Sequence, residues 1–580
     1  MDSKNIPGFD TERFEGRLEF PLSQGILRIM ASVFFVIFLF LFFRIFNLQI
    51  IQGDYFQKRS ANNFLKSVRI APIRGEIYDR NGELLVWNEP TVENAISQNY
   101  SGLNLIENGS SRISPASSSQ ESVSAKVSNS VDPELAFERK YKSQSGLSLL
   151  LGFLGFETEG LDKANNSQFK IGKDGIEKYY NNELKGKPGL RIIEIDSSGN
   201  LISENVREKP EAGKKIILSV DAKVNAKFYE ILKNISEERG FNGGAGVIMD
   251  ARNGEILAMT NFPEYDSEIL SRGEPRDIIN SYLGDSRKPF LNRAASGLYA
   301  PGSVIKPLIA LAALNENIIS PEKIIMTRGS ISVPNPYVPG EYAIFKDWKN
   351  HGAVDMRRAL AVSSDVYFYT IGGGYGNIKG LGVSLIDKYF EMFNFGKITG
   401  IGLFNEEKGV IPSPELKEKT SPEDPIWRIG DTYHLSIGQG DFQATPFQMA
   451  IFASALANKG KILKPRILKT DLAEIPSVQE IEIPKEYFKI VQEGMRAAVT
   501  EGTASALGNL SVKITGKTGT AEIGKKYVNS WFIGFWPYEN PRYSITIVLE
   551  RGPSYNLVGG VSAAHQLLNW MILNAPEYVL

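Results

Sequence analysis

One run of apolar residues near the N-terminus fixes the environment of that part of the chain. Residues Ile29 to Phe43 are apolar or small without interruption and include six phenylalanines, and the wider stretch from Ile26 to Ile51 has only a few polar breaks. An α-helix of this length spans the hydrocarbon core of a bilayer, and arginines near its ends can extend their charges to the interfaces. The sequence therefore predicts one transmembrane helix over residues 26–51, after a tail of residues 1–25.

A cleaved signal peptide is the alternative, because its apolar core has a similar composition. The residues that follow, FRIFNLQIIQGDYF, are bulky and offer no small-residue cleavage site, which favours an uncleaved anchor. Positive residues flank the run on both sides, so the charge distribution leaves the orientation open.

Composition argues against several kinds of chemistry. The 580 residues include no cysteine, which excludes disulfides, thiol nucleophiles and cysteine-ligated metals. Only three histidines are present, which argues against a histidine-based triad or a multi-histidine metal site. The formal net charge of −1 argues against a nucleic-acid partner, and an apolar fraction of 42% can fill the cores of several domains.

Shifts in composition divide the chain after the anchor. Residues 108–130 are rich in serine and poor in aromatic residues, which is typical of a mobile linker. The charged stretch VREKPEAGKK, residues 206–215, indicates a boundary. We therefore predict a mixed domain over residues 52–212, in which DRNG (79–82) forms a tight turn between strands, and a large domain over residues 213–580.

Apolar patterning in the large domain predicts an α+β fold. GAGVIMD and GEILAMTN are joined around Asn253-Gly254, a strong hairpin signal, and SWFIGFWP and YSITIVLER form a second pair of strands near the C-terminus. Between them the chain is largely helical, and SAAHQLLNWMI closes it as an amphipathic helix. Strands at both ends of one domain indicate a single antiparallel sheet covered by helices.

The segment LYAPGSVIKPL places Ser303 three residues before Lys306, so that both lie on one face of a helix. Pro307 has no N–H to donate to the Ser303 carbonyl, which is tolerable only near a helix start and predicts Ser303 in the first turn. The apolar residues that follow can bury Lys306, and a buried lysine can act as base for a serine nucleophile. A plain helix start remains the alternative.

The same tetrad occurs twice elsewhere, at Ser167/Lys170 and Ser320/Lys323, so it is weak evidence alone. Ser320 precedes Pro321, which predicts a helix N-cap followed by proline in the first position. Ser167 lies in a polar stretch without an apolar helix after it.

Two further polar clusters accompany Ser303. Ser363-Ser364-Asp365 is either a helix cap or a loop that places Ser363 beside Lys306 to relay a proton, with Asp365 steadying the lysines or the substrate. The other cluster is Lys517-Thr518-Gly519, the single Lys-Thr-Gly of the chain.

In that cluster, Lys517 either lies on an ordinary strand or adds a cation that keeps Lys306 neutral and binds a carboxylate. Gly519 lets an extended peptide pair with the strand edge.

Together the three motifs, in this order and with this spacing, resemble those of the penicillin-recognising serine enzymes. RGEIYDRNG, GIEKYYNNELKGKPG and IGQGDFQATPFQMA are similar to the juxtamembrane, pedestal and transpeptidase segments of class B penicillin-binding proteins. Asp365 as the last residue of the second motif, with FKDWKNHG upstream, resembles the elongation-specific penicillin-binding protein 2 branch more than the division branch.

The resemblance implies a fold and a reaction. The fold would be a penicillin-binding, serine β-lactamase-like transpeptidase domain, with helices on both sides of its sheet, after a single transmembrane helix and an elongated pedestal. Ser303 would attack the D-Ala-D-Ala carbonyl of a peptidoglycan stem peptide with Lys306 as base and Ser363 as proton relay. The N–H groups of Ser303 and Thr520 would form the oxyanion hole, Thr518 and Thr520 would hold the terminal carboxylate, and β-lactams would acylate the serine.

The resemblance also implies location and partners. The tail would be cytoplasmic and the catalytic domain periplasmic, on the inner membrane of a bacterium. A glycan polymerase of the SEDS family and a cell-shape scaffold would bind the anchor and pedestal. No cofactor is expected. Some elongation-type relatives carry a zinc site, for which Asp347 and His351 offer two ligands, but without a cysteine we expect no metal.

Two rival functions remain. A β-lactamase or D,D-carboxypeptidase would need a base that activates water, and the sequence offers no candidate for it. A non-catalytic scaffold, polymerase activator or β-lactam sensor is the second rival, which the short N-terminal tail weakens as a sensor.

Overall fold

The computed structural model describes residues 24–90, 137–156, 169–195, 201–335, 338–402, 405–469 and 478–579, without the side chains of 24, 58–63 and 201. The predicted serine-rich linker, residues 108–130, and nearly all of the predicted N-terminal tail lie outside these ranges.

The α-helices of the described residues are α1 (Gln24–Phe46), α2 (Gly53–Phe64), α3 (Ser148–Leu151), α4 (Gly175–Tyr179), α5 (Asn181–Leu184), α6 (Ala222–Arg239), α7 (Ser267–Arg272), α8 (Arg276–Gly284), α9 (Arg293–Ser296), α10 (Lys306–Asn315), α11 (Met356–Val362), α12 (Asp365–Gly373), α13 (Val383–Met392), α14 (Pro414–Thr420), α15 (Ile429–Ser436), α16 (Pro446–Ala457), α17 (Lys485–Glu501) and α18 (Gly560–Asn574). Short 3-10 turns cover Gly302–Ile305, Ser505–Leu507 and Pro576–Tyr578.

The strands are β1 (Leu65–Ile70), β2 (Ile77–Tyr78), β3 (Leu84–Pro90), β4 (Phe137–Tyr141), β5 (Leu154–Phe156), β6 (Lys170–Gly172), β7 (Gly189–Ile195), β8 (Leu201–Glu208), β9 (Ile216–Ile217), β10 (Gly243–Asp250), β11 (Ile256–Phe262), β12 (Ile325–Thr327), β13 (Ser330–Pro334), β14 (Tyr342–Lys346), β15 (Gly352–Val354), β16 (Lys461–Leu463), β17 (Val478–Glu480), β18 (Thr515–Ile523), β19 (Tyr527–Trp536) and β20 (Tyr543–Pro553).

These elements form two compact units, and the first contains the apolar N-terminal helix. There α1 continues through a π-helical turn, Asn47–Ile51, so that Gly25–Ile51 is a continuous helical stretch of 27 residues with a mean hydropathy of 2.7. This stretch is long and apolar enough to cross a membrane and contains residues 26–51, over which the transmembrane helix was predicted. The rest of the unit is α2 and a three-stranded antiparallel sheet of order β1-β7-β8.

The second unit is built on a five-stranded antiparallel sheet of order β11-β10-β20-β19-β18. The predicted hairpin β10–β11 pairs Gly246 with Thr260, and the predicted C-terminal strands β19 and β20 pair as well. Because β10 also pairs with β20, strands from the two ends of the domain lie side by side. The predicted α+β architecture with one antiparallel sheet is therefore confirmed.

Helices cover both faces of this sheet. Since side chains alternate between the faces along each strand, one strand contributes residues to two separate cores. Ile545, Ile547 and Leu549 belong to the core formed with α6 and α18. Val548, between two of them, belongs to the larger core formed with α10, α12 and α16. In that larger core every residue of α10 from Lys306 to Leu314 is buried, so α10 is a central helix surrounded by protein.

The predicted DRNG turn joins β2 to β3 and ties them to the start of α6. The Asp79 carboxylate accepts hydrogen bonds from the backbone N–H groups of Asn81 and Glu83, each at 2.8 Å. The Asn81 amide donates to Asp221, the N-cap of α6, at 2.8 Å. Tyr578 near the C-terminus donates to the same carboxylate oxygen at 2.9 Å. The turn therefore organises residues that are distant in the sequence.

Candidate active site

Ser303 lies in the 3-10 turn Gly302–Ile305, which leads directly into α10. Pro307 occupies the first turn of α10, where a backbone N–H would have no partner inside the helix, so that its absence costs no helical hydrogen bond. The Ser303 carbonyl instead accepts from the backbone N–H of Lys306. The prediction that Ser303 lies at the helix start is confirmed, and the side chain is only partly buried.

Two glycines allow strand β18 to approach the Ser303 turn closely. Gly302 has a φ of +60°, and a Cβ on it would lie 2.7 Å from the Thr520 carbonyl oxygen. A Cβ on Gly519 would lie 2.8 Å from the Pro301 carbonyl oxygen and 2.9 Å from Val304 Cγ1. Any larger residue at either position would push the serine turn away from the strand.

The segment before Ser303 is held by contacts that the sequence analysis missed. Trp531 donates from Nε1 to the Ala300 carbonyl at 3.0 Å. The Tyr299 hydroxyl donates to Glu550 Oε2 at 2.8 Å, and Arg293 donates to Oε1 of the same carboxylate from Nε at 2.8 Å. These partners lie on β19, β20 and α9, and no short-range pattern connects them.

The Lys306 side chain has no exposed surface. Its Nζ lies 2.6 Å from Asp365 Oδ1 and donates to the Ser363 carbonyl at 2.8 Å. The Ser363 hydroxyl is 3.4 Å away, and the Phe368 ring centroid is 5.3 Å away. A buried amine requires such partners, and within the described part of the chain the 363–365 turn supplies the oxygens to which it hydrogen-bonds.

The turn between α11 and α12 is a helix cap and also places Ser363 beside Lys306. Ser364 is the N-cap of α12, and its hydroxyl accepts from the Tyr367 N–H at 3.3 Å. Ser363 ends α11 in the left-handed region, with φ +59° and ψ +42°, and this conformation turns it toward the two lysines. The cap therefore fixes the turn, and the turn presents Ser363 and Asp365.

Lys517 completes the cluster from the opposite wall. Its Nζ donates to Ser363 Oγ at 2.8 Å and to the Thr518 carbonyl at 3.0 Å. Burial lowers the pKa of this ammonium well below its ordinary value, and the nearby charge of Lys306 lowers it further, against the opposing effect of Asp365. The Ser363 hydroxyl therefore lies between two amines.

Strand β18 forms one edge of the sheet, as the predicted mode of peptide binding requires. Thr518 and Thr520 are two residues apart and share a face of the strand. Two further residues contact this strand and were missed from the sequence: Thr503, whose hydroxyl is 2.7 Å from that of Thr518, and Gln439, whose amide donates to the Thr520 carbonyl at 3.4 Å.

The two other Ser-x-x-Lys tetrads have different surroundings. The prediction of a helix N-cap at Ser320 is wrong, because the chain forms only a turn there before entering β12. The Ser320 hydroxyl donates to Glu322 at the surface, at 2.7 Å. Ser167 lies outside the described residues, and Lys170 donates to the Ser271 carbonyl.

The residues considered as zinc ligands do not fit a metal. Asp347 Oδ2 already accepts from Ser364 Oγ at 2.8 Å and from the Val366 N–H at 3.0 Å. His351 Nε2 lies 3.4 Å from the other oxygen of the carboxylate. Within the described ranges, no group of three or more His, Cys, Asp or Glu side chains is arranged to hold a metal ion.

Comparison with known protein families gives two matches. Residues 244–569 match the penicillin-binding protein transpeptidase domain, and residues 111–218 match the penicillin-binding protein dimerisation domain. The chain is 30% identical over 596 aligned positions to the peptidoglycan D,D-transpeptidase MrdA of Haemophilus influenzae, covering 91% of this chain and 88% of that protein.

Solved structures of penicillin-binding protein 2 share the fold. The Helicobacter pylori protein, solved in complex with MreC, superposes with a TM-score of 0.68 at 26% identity, covering 88% of this chain and 98% of that one. The Pseudomonas aeruginosa protein, solved in complex with WCK 5153, gives a TM-score of 0.68 at 28% identity, with 89% and 98% covered.

Proposed function

The chain belongs to the penicillin-binding protein transpeptidases, and we propose that it cross-links peptidoglycan stem peptides through an acyl-enzyme on Ser303. One observation carries the assignment of residues. Ser303 lies in the turn that leads into the helix beginning with buried Lys306, and the Ser363 hydroxyl contacts both that lysine and Lys517. A nucleophile, a base and a proton relay are the groups that acyl transfer from an amide requires.

In the first half-reaction, Ser303 Oγ attacks the carbonyl of the penultimate D-alanine and loses its proton to Lys306 Nζ. The tetrahedral intermediate collapses when the C–N bond breaks, and the departing D-alanine nitrogen takes the proton from Lys306 through the Ser363 hydroxyl. Negative charge on the carbonyl oxygen is met by the backbone N–H groups of Ser303 and Thr520. One such donor is worth about 3–4 kcal/mol of transition-state stabilisation.

Lys306 must be neutral to act as the base, and the geometry of the two lysines supports a way to reach that state. Ser363 Oγ accepts from Lys517 at 2.8 Å and lies 3.4 Å from Lys306. A substrate carboxylate bound beside Lys517 raises the affinity of that amine for a proton, because opposite charge favours the ammonium form. The proton passes from Lys306 to Lys517 through the Ser363 hydroxyl, and substrate binding thereby generates the base.

The backbone of the donor stem peptide pairs with the edge of strand β18 along Thr518, Gly519 and Thr520. Thr518 and Thr520 hold its terminal carboxylate, and Asp365 keeps Lys306 in place. The acyl-enzyme is then resolved by the amine of a neighbouring stem peptide. The proposed site includes no base that activates water. We therefore expect hydrolysis of the acyl-enzyme to be slow, so that a β-lactam that acylates Ser303 stays bound.

The location and partners follow from the same family. The helix over Gly25–Ile51 anchors the chain in the inner membrane of a bacterium, with residues before it in the cytoplasm and the catalytic domain in the periplasm. A cell-shape scaffold is one expected partner, because a structure of a relative was solved in complex with MreC. A SEDS-family glycan polymerase is the second. We expect the chain to act in elongation rather than division, because the solved relatives that share its fold are penicillin-binding protein 2 structures.

The proposal is tested by intact-protein mass spectrometry after brief incubation of the full chain with benzylpenicillin. We expect one stable adduct on wild type, mapped to Ser303 and absent from Ser303→Ala. Ser320→Ala is the matched control, because it alters the same tetrad at a position without a lysine pocket, and it should be labelled like wild type. Rapid loss of the adduct would instead favour a hydrolase, and labelling of Ser303→Ala would refute the assignment of the nucleophile.

A further inference from the structure

We propose that Asp347 is a positioning residue for acylation: its buried carboxylate fixes the middle of the 363–365 turn and thereby sets the places of Ser363 and Asp365. This inference rests on the proposed function of those two residues. Asp347 follows strand β14, outside the 363–365 turn, and its hydrogen bonds go to neither lysine.

The hydrogen bonds of Asp347 converge on the turn. Oδ2 accepts from Ser364 Oγ at 2.8 Å and from the Val366 N–H at 3.0 Å, so one oxygen holds both the middle residue and the start of α12. Oδ1 accepts from the Trp348 N–H at 2.9 Å, and His351 Nε2 lies 3.4 Å from it without forming a hydrogen bond. The side chain has no exposed surface, and a buried carboxylate is held in one place by so many donors.

Asp347 is itself anchored by the hairpin β13–β14. It follows directly after the last paired residue, Lys346, which is opposite Ser330, and its backbone N–H donates to the Gly329 carbonyl at 2.8 Å. Phe345, two residues before Asp347, packs edge-on against Tyr433 with ring centroids 4.9 Å apart. The carboxylate therefore extends from a fixed base rather than from a free loop.

The turn needs an external restraint because its own conformation is unfavourable. Ser363 is in the left-handed region, which L-residues other than Gly, Asn and Asp rarely adopt. Among the described residues, the hydrogen bonds of the Lys306 amine all go to this turn: to the Ser363 carbonyl, the Ser363 hydroxyl and Asp365 Oδ1. If Ser364 moves, all three move together relative to Ser303.

The test compares Asp347→Asn and Asp347→Ala with a matched cap variant. Asp355 is the N-cap of α11 and accepts from the Arg358 N–H at 2.8 Å, so it stabilises the helix before the turn without touching the turn. For each full-length variant, stopped-flow labelling with a fluorescent penicillin gives the limiting acylation rate constant, the non-covalent dissociation constant and the number of sites labelled per chain.

We expect Asp347→Asn to lower the limiting rate constant about tenfold and Asp347→Ala about 100-fold, since displacements near 1 Å cost up to about 10²-fold. Labelling should still reach one site per chain, with the dissociation constant little changed. Asp355→Asn should acylate at the wild-type rate even where its melting temperature falls.

A purely structural role for Asp347 predicts fewer labelled chains with an unchanged rate per labelled site, and that result would overturn the inference. Equal rate losses in Asp355→Asn and Asp347→Asn would do the same. If the Asp347 variants do not fold, Ser364→Ala decides, because it removes the hydroxyl that donates to Asp347, together with the cap of α12, and should slow acylation in the same way. Failure of wild type itself to label would instead contradict the proposed function.

Discussion

The amine of Lys517 lies 2.8 Å from the hydroxyl oxygen of Ser363, although 154 residues separate them in the sequence. Strand β18 carries the lysine and the turn between two helices carries the serine. Neither motif by itself indicates catalysis, since a lysine on a strand is usually exposed and a serine at a helix boundary is usually a cap. Their contact places a hydroxyl between two buried amines, which is what a proton relay needs.

Substitutions at Ser363 should separate backbone strain from chemistry. Ser363→Ala and Ser363→Gly both remove the hydroxyl that we propose as the proton relay, so acylation by penicillin should fall about 10²-fold or more in each. Glycine adopts the left-handed region without the cost of a Cβ, so Ser363→Gly should be more stable to unfolding than Ser363→Ala by about 1 kcal/mol. Chemical denaturation measures the difference, and equal stabilities would show that the turn is unstrained.

Gly519→Ala should slow acylation by disturbing the serine turn. The new Cβ would meet the Pro301 carbonyl oxygen at 2.8 Å, and backbone must move to accommodate it. A shift of the turn by a fraction of an ångström should lower the acylation rate constant by about 10- to 100-fold. Gly284→Ala at the end of α8 is the control, because its Cβ would enter open space. An acylation rate in Gly519→Ala equal to that of the control would contradict the proposed close fit.

Glu264 should make stability depend on pH. Burial raises the pKa of this carboxyl to about 7, against hydrogen bonds from the backbone N–H groups of Gly146 and Ser148 that lower it. Between its ordinary pKa of 4.5 and about 7, the folded chain binds more protons at Glu264 than the unfolded chain. The stability from this group is therefore present at low pH and is lost as pH rises through that window, by at most about 3 kcal/mol.

Glu264→Gln should remove this part of the pH dependence, because the amide stays neutral. Denaturant titrations of both proteins between pH 5 and pH 7.5 measure it. The unfolding free energy of the wild type should fall more steeply with pH than that of the variant, and parallel curves would show that Glu264 is ionised throughout. Other titrating groups are common to both proteins and cancel in the difference.

Much of the architecture was predictable because it depends on local patterns. The apolar run, the hairpin around Asn253-Gly254 and the C-terminal strands each follow from residues close together in the chain, and all are present. The error at Ser320 is also local in origin, because Pro after Ser permits a helix start without requiring one. The predicted boundaries at residues 52, 212 and 213 stay predictions.

The sequence by itself determined the apolar helix, the α+β class and the order of the three motifs, because hydrophobic period and short-range spacing are properties of neighbouring residues. Only the tertiary structure decided that β10 lies beside β20, that Ser363 touches Lys517 and that Asp347 holds Ser364. It also decided the lowered pKa of Lys517, since desolvation depends on every element that closes the pocket. Contacts of this kind join residues far apart in the chain, and no local pattern specifies them.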